Sequence, residues 1–310
     1  MCGIVGFISN NGAKGWPSDR VKYIKQGLVV DTLRGYHSTG VFTVREGEEN
    51  KTAYWEKDAT TGSEFVCTSD FEKLVSKPSE FRYFIGHNRA ATLGEVNVDN
   101  AHPFQEGDIT LVHNGTLTST HGMPLPMSLL DDVDVDSHAI CHNLAEHDIA
   151  EWYKNMYGAW ALIWHDARDG SLNIVRNHQR PLAVGKVTGE ETLLIASESE
   201  MLEFLANRIS IQLTEVYTLE TDIHFKWTKD TPVLQPITRK LERWYSSYDD
   251  DDLVWGKYSH AGRQRASGGG GAATADPFPK PDGKVLVGGQ WQEVPKQLQI
   301  DLMDFDLEPQ

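Results

Sequence analysis

Apolar positions along this chain come in short runs broken by polar turns, with few long stretches of helical spacing. Residues 4–8 (Ile4-Val5-Gly6-Phe7-Ile8) form a continuous apolar run that reads as a buried strand. Asn10-Asn11-Gly12 is a turn signal. Residues 18–33 read as a helix, with Ser18 as N-cap and apolar side chains at Val21, Ile24, Leu28 and Leu33. A small-residue loop, 34–40, leads into strands at 40–44 and 52–55, joined as a hairpin by the polar turn 45–51. Residues 63–76 read as helix. A buried strand at 83–87 feeds the loop 88–94, and a second loop carries Asn97, Asn100, His102, Pro103 and Phe104.

A strand at 110–113 is expected to stop at Asn114-Gly115, a common hairpin dipeptide. Residues 136–157 read as one long helix. Strands at 158–164 and 172–176 pair across the polar turn 166–170, and 182–187 pairs with 193–197. A short helix at 199–207 and strands at 212–219 and 223–227 close the patterned part. Antiparallel strand blocks with intervening helices predict an α+β fold with sheets packed face to face and helices outside.

The character changes beyond Trp244. Asp249 to Asp252 is an acidic run, Ser267 to Gly271 is linker-like, and prolines recur at 277, 279, 281 and 295. The expected division is a folded domain over 1–245 and a flexible acidic, Gly/Pro-rich tail over 246–310. The tail is also a possible partner-docking segment through Leu302, Phe305 and Leu307.

Composition narrows the class. The 310 residues are 39% hydrophobic and 24% charged, as in globular proteins. A formal net charge of -16 argues against binding nucleic acid or acidic membranes. No apolar run reaches the ~20 residues of a membrane span, and the start lacks the pattern of a secretory leader. A cytoplasmic protein is expected. Three cysteines (Cys2, Cys67, Cys141), an odd and sparse count without CxxC spacing, argue against a disulfide framework or a cysteine-rich zinc site. His138 and His142 stand at i and i+4, a spacing that can bind zinc, but the sequence supplies no completing ligand and no metal or cofactor is expected.

Cys2 follows Met1 directly. Once the methionine is removed, thiol and α-amine share one residue, and the amine can serve as base for its own thiol. Their ordinary pKa values, ~8 and ~8.5, make that proton exchange nearly balanced. On position alone, Cys2 reads as an incidental small residue at an ordinary start. Arg34-Gly35 alone is a helix stop, Gly86-His87-Asn88-Arg89 a buried polar network, and Asp136 a helix cap.

Six stretches in order change that reading: Met1-Cys2-Gly3-Ile4-Val5-Gly6, Arg34-Gly35-Tyr36-His37-Ser38-Thr39-Gly40, Gly86-His87-Asn88-Arg89-Ala90-Ala91-Thr92-Leu93-Gly94, Asn100-Ala101-His102-Pro103-Phe104, His113-Asn114-Gly115-Thr116-Leu117 and Asp136-Ser137. Together they resemble the glutaminase domain of class II glutamine amidotransferases, the N-terminal nucleophile hydrolases, over about residues 2 to 220. The resemblance implies a four-layer αββα sandwich. It also implies hydrolysis of the glutamine side-chain amide to glutamate and ammonia, with the ammonia passed to an acceptor.

Residue by residue, it makes Cys2 the nucleophile, and Asn114 (side chain) and Gly115 (backbone N–H) the oxyanion donors. It sets Arg89 on the substrate α-carboxylate with Thr92 and the Leu93 backbone, and Asp136 on the α-ammonium. Arg34 supports the nucleophile loop, while His87, His102 and His113 hold loops by hydrogen bonds. His37, Ala90, Leu93 and His138 depart from common family residues, which leaves the branch open. A second catalytic domain is usual in the family. The residues beyond the match offer too little for one, so a separate ammonia-accepting synthetase or transferase subunit is the expected partner. The alternatives are an N-terminal cysteine hydrolase of another amide, or a non-catalytic binding or assembly module of the same fold.

Overall fold

The computed structural model describes residues 1–10, 17–45, 51–77, 81–131 and 133–243, together with two strands near the end of the chain. The chain divides into two units, Met1–Tyr248 and Asp249–Gln310. In the second, Lys284–Val287 and Gln290–Glu293 pair as an antiparallel hairpin. The turns expected at 11–12 and 46–50, the linker at 267–271 and the docking residues Leu302, Phe305 and Leu307 lie outside the described residues.

The first unit holds two antiparallel sheets. In the seven-stranded sheet, β1 (Gly3–Ser9) lies between β10 (Thr192–Ala196) and β4 (Phe81–Arg89). Beyond β4 come β2 (Ser38–Arg45) and β3 (Ala53–Asp58), and beyond β10 come β9 (Ala183–Val187) and β11 (Leu213–Thr218). The six-stranded sheet runs β13 (Ile237–Lys240), β12 (Ile223–Trp227), β8 (Ser171–Arg176), β7 (Tyr157–Asp166), β6 (Ile109–Ser119) and β5 (Phe104–Glu106).

The period-2 pleat explains the layering. On β1, Ile4 and Ile8 face the other sheet, where they meet Val112, Ala161 and Ile163. Val5 and Phe7 point the opposite way, into a core with Tyr23, Ile24 and Leu28 of α1 (Pro17–Asp31). That core also takes Phe65 of α2 (Gly62–Phe65), Phe71 of α3 (Ser69–Leu74) and Leu202 of α6 (Ser199–Arg208). On β7, Ala161 and Ile163 face inward while Trp160, Leu162 and Trp164 pack on Ile140 and Leu144 of α4 (Asp136–Glu146) and Trp152 of α5 (Ile149–Trp152). Three apolar interfaces thus separate four layers, and the fold is an αββα sandwich. No helix among the described residues is long and apolar enough to cross a membrane.

Three expectations need correction. The helix expected over 136–157 breaks at His147, whose backbone is extended. Asp148 then caps α5 by accepting from the Ala150 amide at 2.8 Å, a local bond that competes with helix continuation. The helix expected over 63–76 is two helices, each started by a threonine cap at Thr61 and Thr68. Most consequentially, Asn114-Gly115 makes no turn. β6 runs straight through it, with Gly115 opposite Trp160 of β7. A Cβ at Gly115 would stand 1.9 Å from the Ala159 carbonyl oxygen, so the glycine is there for close strand approach.

Candidate active site

The site forms where the start of β1, the end of β4, the middle of β6 and the first turn of α4 meet. Pairing of Gly3 with Asn88 sets Cys2 alongside the residues that follow β4. The Ala90 amide donates to Cys2 Sγ at 3.3 Å. Burial pushes the Cys2 thiol up; the Ala90 hydrogen bond, the chain's α-ammonium and Arg89 oppose that shift.

The backbone under the thiol is tied on two sides. Arg34 Nε donates to the Cys2 carbonyl at 3.2 Å, and its guanidinium also binds the Glu198 carboxylate. The Ile4 amide donates to Ser197 Oγ at 2.8 Å, and the Ser197 amide donates to the Ile4 carbonyl at 2.9 Å. Gly3 lies flat on the buried Asp31 carboxylate, 2.2 Å from where a Cβ would be. Burial raises Asp31 to about 7; Arg34 lowers it and Glu198 raises it.

Arg89, the last residue of β4, donates to the carbonyls of Leu93 and Glu95, so loop 90–95 wraps its guanidinium. Two of its five N–H donors are used there, leaving others for a ligand. Asp136 opens α4. Its oxygens accept from the Leu117 amide at 2.6 Å and the Ser137 amide at 2.9 Å. Thr92 and Thr116 share a hydroxyl hydrogen bond of 3.1 Å. Cys2, Arg89, Thr92, Leu93, Gly115 and Asp136 all border one cavity of about 20 Å³. Asn114 does not line it. Asn114 is buried, its amide nitrogen 3.4 Å from Ser197 Oγ.

The histidines divide. His87 Nε2 meets the His113 carbonyl at 3.0 Å, and His113 Nδ1 meets Ser137 Oγ at 2.9 Å. These bonds tie β4 to β6 and β6 to α4. His102 differs: neither ring nitrogen has a hydrogen-bond partner. Its ring lies against that of His87, centres 3.9 Å apart and planes tilted by 42°, and it borders the cavity. Burial depresses all three, His87 to about 3, so they are neutral and poor proton carriers at pH 7. His37 accepts from the Ala91 amide at 2.9 Å, which holds the loop beside the thiol.

Sequence reasoning missed Asp31, Ser197 and Glu198. They reach the nucleophile from the end of α1 and from the β10–α6 junction, outside every recognised stretch. The abrupt change from apolar β10 to Ser197-Glu198-Ser199 was the available signal.

Residues 87–204 match the family described as a glutamine amidotransferase domain. The chain is 30% identical to glutamine–fructose-6-phosphate aminotransferase (isomerizing) of Shewanella oneidensis over 61% of this chain and 31% of that protein. It is 30% identical to the Listeria innocua protein of the same name over 71% of this chain and 37% of that one. It therefore spans about a third of the length of those relatives. Among solved structures, the Bacillus subtilis glutamine phosphoribosylpyrophosphate amidotransferase, complexed with ADP and GMP, superposes with TM-score 0.54 at 18% identity, covering 78% of this chain and 49% of that one. By its sequence relatives, and with a sandwich of the same fold, the chain carries a glutamine amidotransferase domain homologous to that of the class II enzymes.

Proposed function

We propose that this chain hydrolyses L-glutamine to L-glutamate and ammonia through a thioester on Cys2, and that the ammonia serves an acceptor on a separate synthetase or transferase. The observation that carries the reading is the convergence of Cys2, Arg89 and Asp136 on one cavity, whose wall thus offers a thiol, a cation and an anion. Such a pair of charges complements the head of a free amino acid and leaves its side chain directed at the sulfur.

In this reading Met1 is removed and the Cys2 α-amine takes the thiol proton. The thiolate attacks the amide carbon. The oxygen, now anionic, is met by the Gly115 N–H and the Asn114 side chain, which turns from Ser197 to reach it. The amine returns its proton to the departing nitrogen, and ammonia leaves. Water, deprotonated by the same amine, then cleaves the thioester and releases glutamate. Arg89 holds the α-carboxylate with help from Thr92 and the Leu93 backbone, and Asp136 holds the α-ammonium. A cavity of about 20 Å³ has room for about one water. Binding glutamine there would displace loop 90–95, which the hydrogen bonds to Arg89, Cys2 and His37 hold in its present place.

The test is intact mass with glutamate release, comparing the native protein with Cys2→Ala, before and after the glutamine-like electrophile 6-diazo-5-oxo-norleucine. The expected result is loss of Met1, a single adduct on Cys2, and turnover abolished in the variant. Retained Met1 with no adduct sinks the mechanism. An adduct without turnover redirects the search to an acceptor protein that activates the site.

A further inference from the structure

On the outer side of the second sheet, away from the thiol, three potential ligands converge. His138 and His142 sit one turn apart on α4 and so share a face. Their ring centres are 4.9 Å apart. Glu106 ends the edge strand β5 and points between them. Its Oε2 lies 3.7 Å from His138 Nε2 and 3.4 Å from His142 Nε2. One donor atom from each of the three falls within 4.8 Å of the others. Donors ~2.0–2.1 Å from a tetrahedral zinc stand about 3.3 Å from one another, so a small closure would bring these atoms to coordination distance.

We propose that Glu106, His138 and His142 form a divalent transition-metal site of the zinc class, with solvent completing the coordination. The ligand set selects the metal. Two imidazoles and one carboxylate suit zinc, cobalt, nickel or copper, whereas magnesium and calcium take oxygen donors. The ligands are already positioned. His138 stacks on Phe104 of β5 at 5.2 Å and 22° between planes, which fixes its ring. Lys57, the nearby cation, is held by the carbonyls of Asp99 and Ala101 and does not block the carboxylate. Cys141, between the two histidines in sequence, is buried, with its sulfur 3.6 Å from the Phe104 carbonyl and 3.9 Å from that of Ile109, so it is not a fourth ligand. Side-chain exposures of 23–36% leave the outer side open to water.

The spacing of the histidines supplied two ligands. The third stands 32 positions before His138 and is brought there only by the packing of β5 on α4. A bound metal would clip those two elements together. α4 begins with Asp136, and β5 starts just after His102, so the clip would join two supports of the Cys2 cavity. The site itself does not depend on the glutaminase reading.

The experiment uses tag-free, full-length protein stripped with chelator, titrated with zinc by calorimetry and with cobalt by absorption. The expected result is one equivalent bound, weakened at least tenfold in both His142→Ala and Glu106→Gln. The cobalt spectrum should show weak d–d bands without thiolate charge-transfer absorption. Both variants should keep the native urea midpoint in chelator. Absence of stoichiometric binding, equal affinity in native protein and variants, or a strong thiolate band would each overturn the site.

Discussion

Gly115→Ala tests the tightest strand contact in the site. The new Cβ would start 1.9 Å from the Ala159 carbonyl oxygen, and real contacts of this kind essentially never fall below 3.0 Å. Neither partner is a flexible side chain: one is β6 backbone and the other is β7 backbone, in a ladder running from Ile109–Asp166 to Ser119–Tyr157. The gap can open only by parting the two strands. Losing two or three ladder hydrogen bonds at ~1 kcal/mol each predicts a destabilisation of about 2–3 kcal/mol. The same displacement carries the Gly115 N–H away from the Cys2 cavity. Loss of one oxyanion donor lowers kcat by ~10²–10³-fold in comparable sites. Urea unfolding and initial rates of glutamate release measure the two effects separately. A variant with native stability and native kcat would refute both the rigidity of the β6–β7 contact and the donor role. Lost stability with native kcat would refute the donor role alone.

Arg89→Lys keeps the charge but loses the planar fork, and should lower kcat/KM for glutamine by roughly ten- to a hundredfold, mostly through KM; an unchanged KM in steady-state assays would remove Arg89 from the substrate. Ser197→Ala leaves the buried Ile4 amide without its acceptor, so a loss of about 1–3 kcal/mol by urea denaturation is expected, with slower labelling of Cys2 by the electrophile. Acid should destabilise the first unit in a defined window: burial holds His87 down at about 3 and His224 at about 4, against an ordinary 6.5. Between those values the unfolded chain binds protons that the folded one refuses, so their contribution is fully present above pH 6.5 and lost as pH falls toward 3. Asp31, raised from 3.8 to about 7, acts with the opposite sign and costs stability as pH rises through that range. Asp31→Asn should therefore be more stable than native protein at pH 8 and lose that advantage at pH 4, as read from denaturation midpoints; equal midpoints at pH 8 would count against a buried, strained carboxylate.

Much of the layering was legible because β1 and β7 alternate between two apolar partners, and that pattern is written in the chain itself. Asn114-Gly115 was misread because the dipeptide is a strong local turn signal, whereas its glycine answers a tertiary demand, the nearness of the Ala159 carbonyl. The 136–157 helix broke at His147 because the side-chain cap of Asp148 offered the backbone a better local partner than the next helical turn. Within the site, Cys2, Arg89, Thr92, Leu93, Gly115 and Asp136 stood in recognisable stretches and meet at one cavity. Asp31, Ser197 and Glu198 did not, since Asp31 and Ser197 meet the nucleophile strand, and Glu198 meets Arg34, only through long-range packing.

That packing also orders events in time. The amide of Ile4 finds its acceptor on Ser197, 193 positions later in the chain. At ~5–20 residues per second of synthesis, about ten seconds or more separate the making of β1 from the making of its neighbour β10. During that interval Met1 and Cys2 are both open to an aminopeptidase, and in the folded chain Met1 is still 67% exposed while Cys2 is 8% exposed. The removal of Met1 proposed above thus has the whole interval before the sheet closes, and after closure the first residue is still at the surface while the thiol behind it is shielded.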